Sequence, residues 1–139
     1  MNKKKKKILV FGTFDIFHKG HEFFLKEAKK YGNLEVVVAR DSTVKKVKGI
    51  FPLNNELTRL KVIKSLDYVD KAVLGNKANK YKIIEELKPD IICLGYDQNS
   101  FTKDLKKKIK EKGLKIKIIK FKKSFKPEKY KSSKLRFFS

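Results

Sequence analysis

Two histidines, His18 and His21, stand three residues apart just behind a short apolar run that ends in Gly12-Thr13. The segment Gly12-Thr13-Phe14-Asp15-Ile16-Phe17-His18-Lys19-Gly20-His21 sets a glycine turn at a strand end and two imidazoles at a helix start. A spacing of three puts both rings on one side of that helix. Its first turn carries free backbone N–H groups and the positive end of the dipole, so the spot is an anion site, and two imidazole donors there would face a phosphate. A metal site is the weaker reading, because no carboxylate or thiol stands at ligand spacing in the same segment. The plain alternative is chance proximity, with one ring packed and the other solvated. Further along, Lys45, Lys46, Lys48 and Gly49 form a second stretch suited to anions, and Gly95-Tyr96-Asp97-Gln98 is a turn behind another apolar run. There Asp97 suits either a helix N-cap or a contact to a ribose or base.

These groups act together only if the chain brings them to one edge. Ile8 to Phe11 is continuously apolar, as expected of a strand covered on both faces in a parallel sheet. A helix is predicted from Gly20 to Lys30, then a second buried strand from Leu34 to Ala39 and a loop from Arg40 to Leu53. Leu57, Leu60, Ile63 and Leu66 recur as a helical face. Ala72 to Leu74 reads as a third strand, Lys80 to Leu87 as a helix stopped by Pro89, and Asp90 to Leu94 as the fourth strand. A lysine-rich helix near Thr102 to Lys112 and a last strand from Leu114 to Phe121 complete the pattern. Five strands interleaved with helices specify a single α/β domain over residues 1–121, a Rossmann-like, doubly wound five-stranded parallel sheet with ligands at the carboxyl ends of its strands. Residues 122–139 differ in composition and read as a loop with a short helix.

The chain's 139 residues suffice for one domain with a real core. Its formal net charge of +22 favours phosphorylated or otherwise anionic partners. The excess is nearly all lysine, Arg40, Arg59 and Arg136 being the arginines, and such a bias also suits a hot habitat. A content of 40% hydrophobic residues with 11 Phe and 5 Tyr excludes a disordered polycation. The single cysteine, Cys93, lies in an apolar strand as inert core; it rules out a disulfide framework, and two histidines beside it do not make a four-ligand zinc site. A cytoplasmic setting follows. Behind Lys3 to Lys7 the apolar run is too short for a signal peptide, and no stretch approaches transmembrane length, so no membrane is expected. Lysine faces at Lys106 to Lys112 and Lys115 to Lys123 would suit a nucleic-acid-binding domain; beside the phosphate motif, nucleic acid is expected only as an incidental ligand.

Gly12-Thr13-Phe14-Asp15 with His18-x-x-His21 resembles the GTFD…HxGH signature of the cytidylyltransferase-like nucleotidyltransferases. The resemblance runs along nearly the whole chain: Ala39-Arg40-Asp41-Ser42 with Lys48-Gly49, Arg59 in an E-x-x-R-like helix, Tyr68-Val69-Asp70, and Lys88-Pro89-Asp90 through Leu94-Gly95-Tyr96-Asp97-Gln98. Within the group it is most similar to archaeal FAD synthases. That implies in-line transfer of AMP from ATP to FMN, with Mg²⁺ accompanying the triphosphate or pyrophosphate. His18 and His21 would donate to the α-phosphate and bridging oxygen, and Lys48 would gather the pyrophosphate or acceptor phosphate, with Lys45 as its substitute. Gly12, Thr13, Phe14, Asp15, Gly95, Asp97, Ser132 and Ser133 would surround the nucleotide, while Asp41, Arg59 and Lys126 would meet the acceptor. For Arg59 the competing reading is a surface pair with Glu56. Phe14, Phe17 and Phe51 flank the expected crevice and could stack on a flat ring or simply pack. A CTP-dependent enzyme acting on glycerol 3-phosphate is the alternative within the group, and a homodimer is an expected assembly. Two departures stand out. The closing motif is reduced to Lys131-Ser132-Ser133-Lys134-Leu135 four residues before the end, and Lys126 or Lys129 replaces an arginine usual before it, without arginine's bidentate fork.

Overall fold

A computed structural model of the chain describes residues 5–76, 81–95 and 98–121. The apolar runs become strands: β1 (Lys7–Gly12), β2 (Asn33–Val38), β3 (Lys71–Leu74), β4 (Ile91–Leu94) and β5 (Lys117–Lys120). Between them lie α1 (Lys19–Lys29), α2 (Asp41–Lys48), α3 (Glu56–Lys64), α4 (Lys82–Leu87) and α5 (Asn99–Lys112). All neighbouring strands are parallel, in the order β3-β2-β1-β4-β5. The winding therefore reverses between β1 and β4, which opens a crevice at their carboxyl ends.

The alternation of side chains along β1 explains why its run is apolar throughout. Ile8 and Val10 point to one face, into a cluster with Leu25 and Ala28 of α1 and Ile63 of α3. Leu9 points to the other, among Ile84 of α4 and Leu105 of α5. All three strand residues are 0% exposed, and burying each contributes about 1.5–3 kcal/mol. This doubly covered strand is the rigid stem on which the first turn is mounted.

Three expectations need correction. The segment from Arg40 to Leu53 is not a plain loop, since α2 occupies Asp41 to Lys48. Only Val44 of that helix is buried, so it has no apolar stripe to announce it. Its end is set by Gly49, at φ 84, where the left-handed backbone lets the Gly49 N–H reach Lys45 O at 2.8 Å. In α3 the expected face holds at Ile63, which is buried, and at Leu60 and, just beyond the helix, Leu66, which pack on the same core. Leu57, however, is 66% exposed, and Arg59 takes an inward place beside Ile63. Finally, β5 is shorter than the run from Leu114 to Phe121, because the Leu114 N–H turns back to Ile109 O at the end of α5. Among the described residues no helix is long and apolar enough to cross a membrane.

Candidate functional site

β1 delivers the chain to Gly12, where the backbone doubles under its own side chain. Phe14 adopts φ 54 and is 2% exposed, with its ring beneath Gly12. A Cβ at Gly12 would come within 2.5 Å of Phe14 Cζ, so glycine is dictated there. A bulky residue at positive φ costs about 1–3 kcal/mol, held here by the burial of the ring. Phe14 is thus packing, not an exposed stacking surface.

The turn leads into α1, whose N-cap is His18. His18 Nδ1 accepts from the Gly20 N–H at 3.0 Å, and the His18 N–H donates to His21 Nδ1 at 3.3 Å. N-cap and N3 are joined reciprocally, with imidazoles where Ser or Thr and Glu ordinarily make a capping box. The spacing of three is therefore the spacing of this box. An accepting Nδ1 carries no proton, so by this hydrogen-bond assignment each neutral ring is the Nε2–H tautomer and donates from Nε2. The two rings stack at 3.8 Å between centroids. Phe17 lies at 5.6 Å on His21, and Phe14 meets it edge-on at 5.3 Å. At 5% exposure His21 is a buried base. Burial first, then the neighbouring His18 and the Lys48 charge, push its pKa down to about 3, and burial lowers that of His18 as well. Both rings are neutral at pH 7. They offer N–H donors fixed in place, with neither the chance pairing nor the cationic character that the spacing alone allows.

Several residues expected at a ligand prove to hold the frame. Asp15 is 4% exposed, and its two oxygens accept from the Leu53 N–H at 2.7 Å and the Asn54 N–H at 2.8 Å. Asn54 Nδ2 returns a bond to Asp15 O at 2.6 Å. Arg59 is 1% exposed and does not pair with Glu56 on the helix surface. Its guanidinium donates to Asn54 O, Thr13 O and Ala39 O at 2.8–2.9 Å and to Asp41 Oδ1 at 2.7 Å. It thereby ties together the ends of β1 and β2 and the segment before α3. Asp41 is its partner, and Glu56 instead accepts from the Asp41 N–H at 2.8 Å and approaches Arg40 at 3.4 Å.

Lys48, the exposed last residue of α2, is the cation whose field reaches His21. With Thr13, Val44, Ile50 and Phe51 it lines a hollow of about 50 Å³ beside the turn. On the opposite side of β1, Gly95 ends β4. Its N–H donates to Gln98 Oε1 at 2.7 Å, while Gln98 Nε2 donates to Phe11 O at 3.3 Å. Gln98 thus clamps the two strand ends that form the crevice; the sequence places it in a motif without a part of its own, and nothing in the sequence singles out Asn54. Asp97, Lys126, Ser132 and Ser133 lie outside the described residues. Cys93 is fully buried, and burial raises its thiol to about 12. Among the described residues no three His, Cys, Asp or Glu side chains gather as a metal cage. What remains at the edge is a set of N–H donors and a lysine, a constellation for binding and polarising phosphate.

Comparison with known proteins agrees with this geometry. A family model described as cytidylyltransferase-like matches residues 9–137. An FAD synthase of Aciduliprofundum boonei is 47% identical over 118 residues, covering 84% of this chain and 78% of that protein. One from Pyrococcus horikoshii is 43% identical over 134 residues, 95% of this chain and 90% of its own. Among solved structures, a Thermoplasma volcanium protein described as a lipopolysaccharide core biosynthesis protein superposes with a TM-score of 0.80 at 43% identity, covering 86% of this chain and 98% of that one.

Proposed function

Because the chain belongs to the cytidylyltransferase-like family, we propose that this strand edge transfers AMP from ATP to the phosphate of FMN, yielding FAD and pyrophosphate. The observation that carries the reading is the pair of neutral, Nδ1-tethered histidines at the start of α1, beside the crevice between β1 and β4. An FMN phosphate oxygen attacks the α-phosphorus of ATP; the new P–O bond forms as the bond to the β-phosphate oxygen breaks in line. The protein's part is positioning and charge stabilisation, with no covalent intermediate on the chain. His18 and His21 donate from Nε2 to the α-phosphate and the bridging oxygen, where negative charge grows. The backbone of Gly12 to Phe14 cradles phosphate, and Lys48 gathers the pyrophosphate or the acceptor phosphate. Gly95 and Asp97 take the nucleoside end, Ser132 and Ser133 bind the triphosphate, and Lys126 meets the acceptor.

Arg59, Asp41 and Asp15 act one step removed, holding the loops that present these groups. ATP enters as its Mg²⁺ complex, the ion carried by the phosphate oxygens. The cytoplasm is the setting, consistent with a lone cysteine buried as a thiol.

The test is a product assay with purified protein and Mg²⁺. One reaction holds ATP and FMN, the other CTP and glycerol 3-phosphate, and the products are separated by chromatography. FAD in the first is the expected result. CDP-glycerol in the second, with no FAD, would replace both the nucleotide and the acceptor in this proposal.

A further inference from the structure

Beside the phosphate site lies a surface that phosphoryl transfer alone does not use. Val47, Ile50, Phe51, Leu53 and Leu57 are 56–73% exposed, all within the short stretch from the end of α2 to the start of α3. Single exposed apolar residues are ordinary, but a run of them marks a surface that meets something apolar. The stretch is pinned. Asp15 grips the backbone at Leu53 and Asn54, and Lys45 Nζ donates to Gly49 O at 2.7 Å while lying 5.6 Å over the Phe51 ring. The ring is held facing solvent instead of collapsing onto the core.

This face runs into the reactive edge. Ile50 and Phe51 line the same hollow as Thr13 of the phosphate turn and Lys48 of α2. The sheet order also separates two sides. Gly95 and Gln98 stand at the crevice between β1 and β4, where nucleotides enter a doubly wound sheet. α2 and the exposed stretch follow β2, on the other flank of β1. A second substrate placed on that flank meets a lysine and the phosphate turn at one end and an apolar shelf at the other. Its chemistry should match: an anionic end joined to a broad, flat, apolar ring. Glycerol 3-phosphate has the first and lacks the second.

We infer that Phe51 and Ile50 form the platform on which the flat ring of the phosphate acceptor lies, with Lys48 at its phosphate end. The inference rests on the FMN reading above and deepens it, since it names what selects a flavin over a small phosphate.

Full-length protein is titrated with FMN, followed by flavin fluorescence, with and without a non-hydrolysable ATP analogue, and KM is measured for both substrates. Phe51→Ala should weaken FMN binding and raise its KM about tenfold or more, the scale of a lost ring stack, and leave the KM for ATP unchanged. Phe51→Tyr, which keeps the ring, should restore FMN binding. Since the Phe51 ring is 60% exposed, both variants should melt with the wild type. Unchanged FMN affinity in Phe51→Ala and Ile50→Ala overturns the inference, as does a loss that falls equally on ATP. Sedimentation velocity of the same samples covers the remaining occupant: dissociation of a wild-type dimer by Phe51→Ala with FMN affinity intact assigns the face to a second copy and overturns it too. The two readings fail separately. FAD formation with an indifferent Phe51 removes only the platform, whereas a wild type that makes no FAD removes the FMN reading and the platform with it.

Discussion

His21→Asn separates the two jobs that one imidazole performs. Asparagine Oδ1 falls near the place of imidazole Nδ1, so it can still accept the His18 N–H that now reaches His21 at 3.3 Å and preserve the reciprocal cap. It has no atom near Nε2 and so cannot donate to a phosphate. Removing one preorganised donor of this kind costs about 2.7–4 kcal/mol of barrier, on the order of a hundred- to thousandfold in kcat. The cap, worth about 1 kcal/mol, is retained. Some packing goes with the ring, which lies against His18, Phe17 and Phe14, so the melting temperature should fall by a few degrees while the variant stays folded at assay temperature. His21→Gln is the mirror case: its amide nitrogen reaches toward the Nε2 position but abandons the cap, so it should recover part of the rate at a greater cost in stability. His21→Ala loses both and is the less informative change. Single-turnover FAD formation, quenched and resolved by chromatography, gives the rate, and circular dichroism the folded fraction. The reasoning fails if His21→Asn keeps its rate within about threefold of wild type, under 1 kcal/mol of barrier, or if the loss merely tracks unfolding.

Acid should loosen the fold through the same residue. In the folded chain His21 titrates near 3 against an ordinary 6.5, so below pH 6.5 the unfolded chain takes up a proton that the fold refuses. The stability is complete above pH 6.5 and is lost as the pH falls toward 3, amounting at pH 5 to about 2 kcal/mol. Urea midpoints at pH 7.5 and pH 5 should show that drop in wild type and much less of it in His21→Asn, and an equal drop in both contradicts the assignment. Arg59→Ala leaves Thr13 O, Ala39 O and Asn54 O without their donor and Asp41 without its partner. It should cost about 3–5 kcal/mol by guanidinium denaturation, and Arg59→Lys should recover only part because lysine cannot fork; full stability in either variant would deny the tie. Gly12→Ala drives a methyl into the Phe14 ring. It should cost about 1–3 kcal/mol and slow FAD formation by shifting the ring that meets His21, so a variant as stable and active as wild type would show that the turn tolerates a side chain.

Legibility in the sequence followed burial. β1 and β4 are covered on both faces, so their cores read as unbroken apolar runs, and β2 reads the same way apart from Glu35. α2 was invisible for the opposite reason: it turns only Val44 inward, and its lysines look like any solvated loop. Arg59 was misplaced because counting hydrophobic positions cannot recognise a fully buried cation whose charge is answered by three carbonyls and a carboxylate. The spacing of His18 and His21 pointed to one helix face, but not to a capping box, since histidine is not an ordinary N-cap residue and the tether runs through backbone N–H groups. Asn54 and Gln98 act by amide contacts to main chain far away in sequence, and nothing in their neighbours predicts which strand ends they will join.

The placement of charge at this edge bears on how the proposed transfer gains its rate. A chain of net charge +22 has no shortage of cations to attract a triphosphate, and lysines on an exposed helix end attract it equally before and during reaction. Uniform attraction of that kind tightens binding without raising kcat. The groups assigned to the reacting phosphorus are instead kept neutral: burial and the Lys48 field both oppose charging His21, and stacking against His18 fixes the ring that results. A neutral N–H held by its own cap needs no reorganisation when charge grows on the bridging oxygen, and in a site poor in water such a donor does most where that growth occurs. A cationic imidazole in the same place would bind the ground-state phosphates more strongly and would add repulsion between the buried His21 and the exposed Lys48. Gathering by lysine and discrimination by tethered imidazole are thus assigned to different elements, α2 and α1, and Arg59 is the tie that holds the loop between them in register with both strand ends.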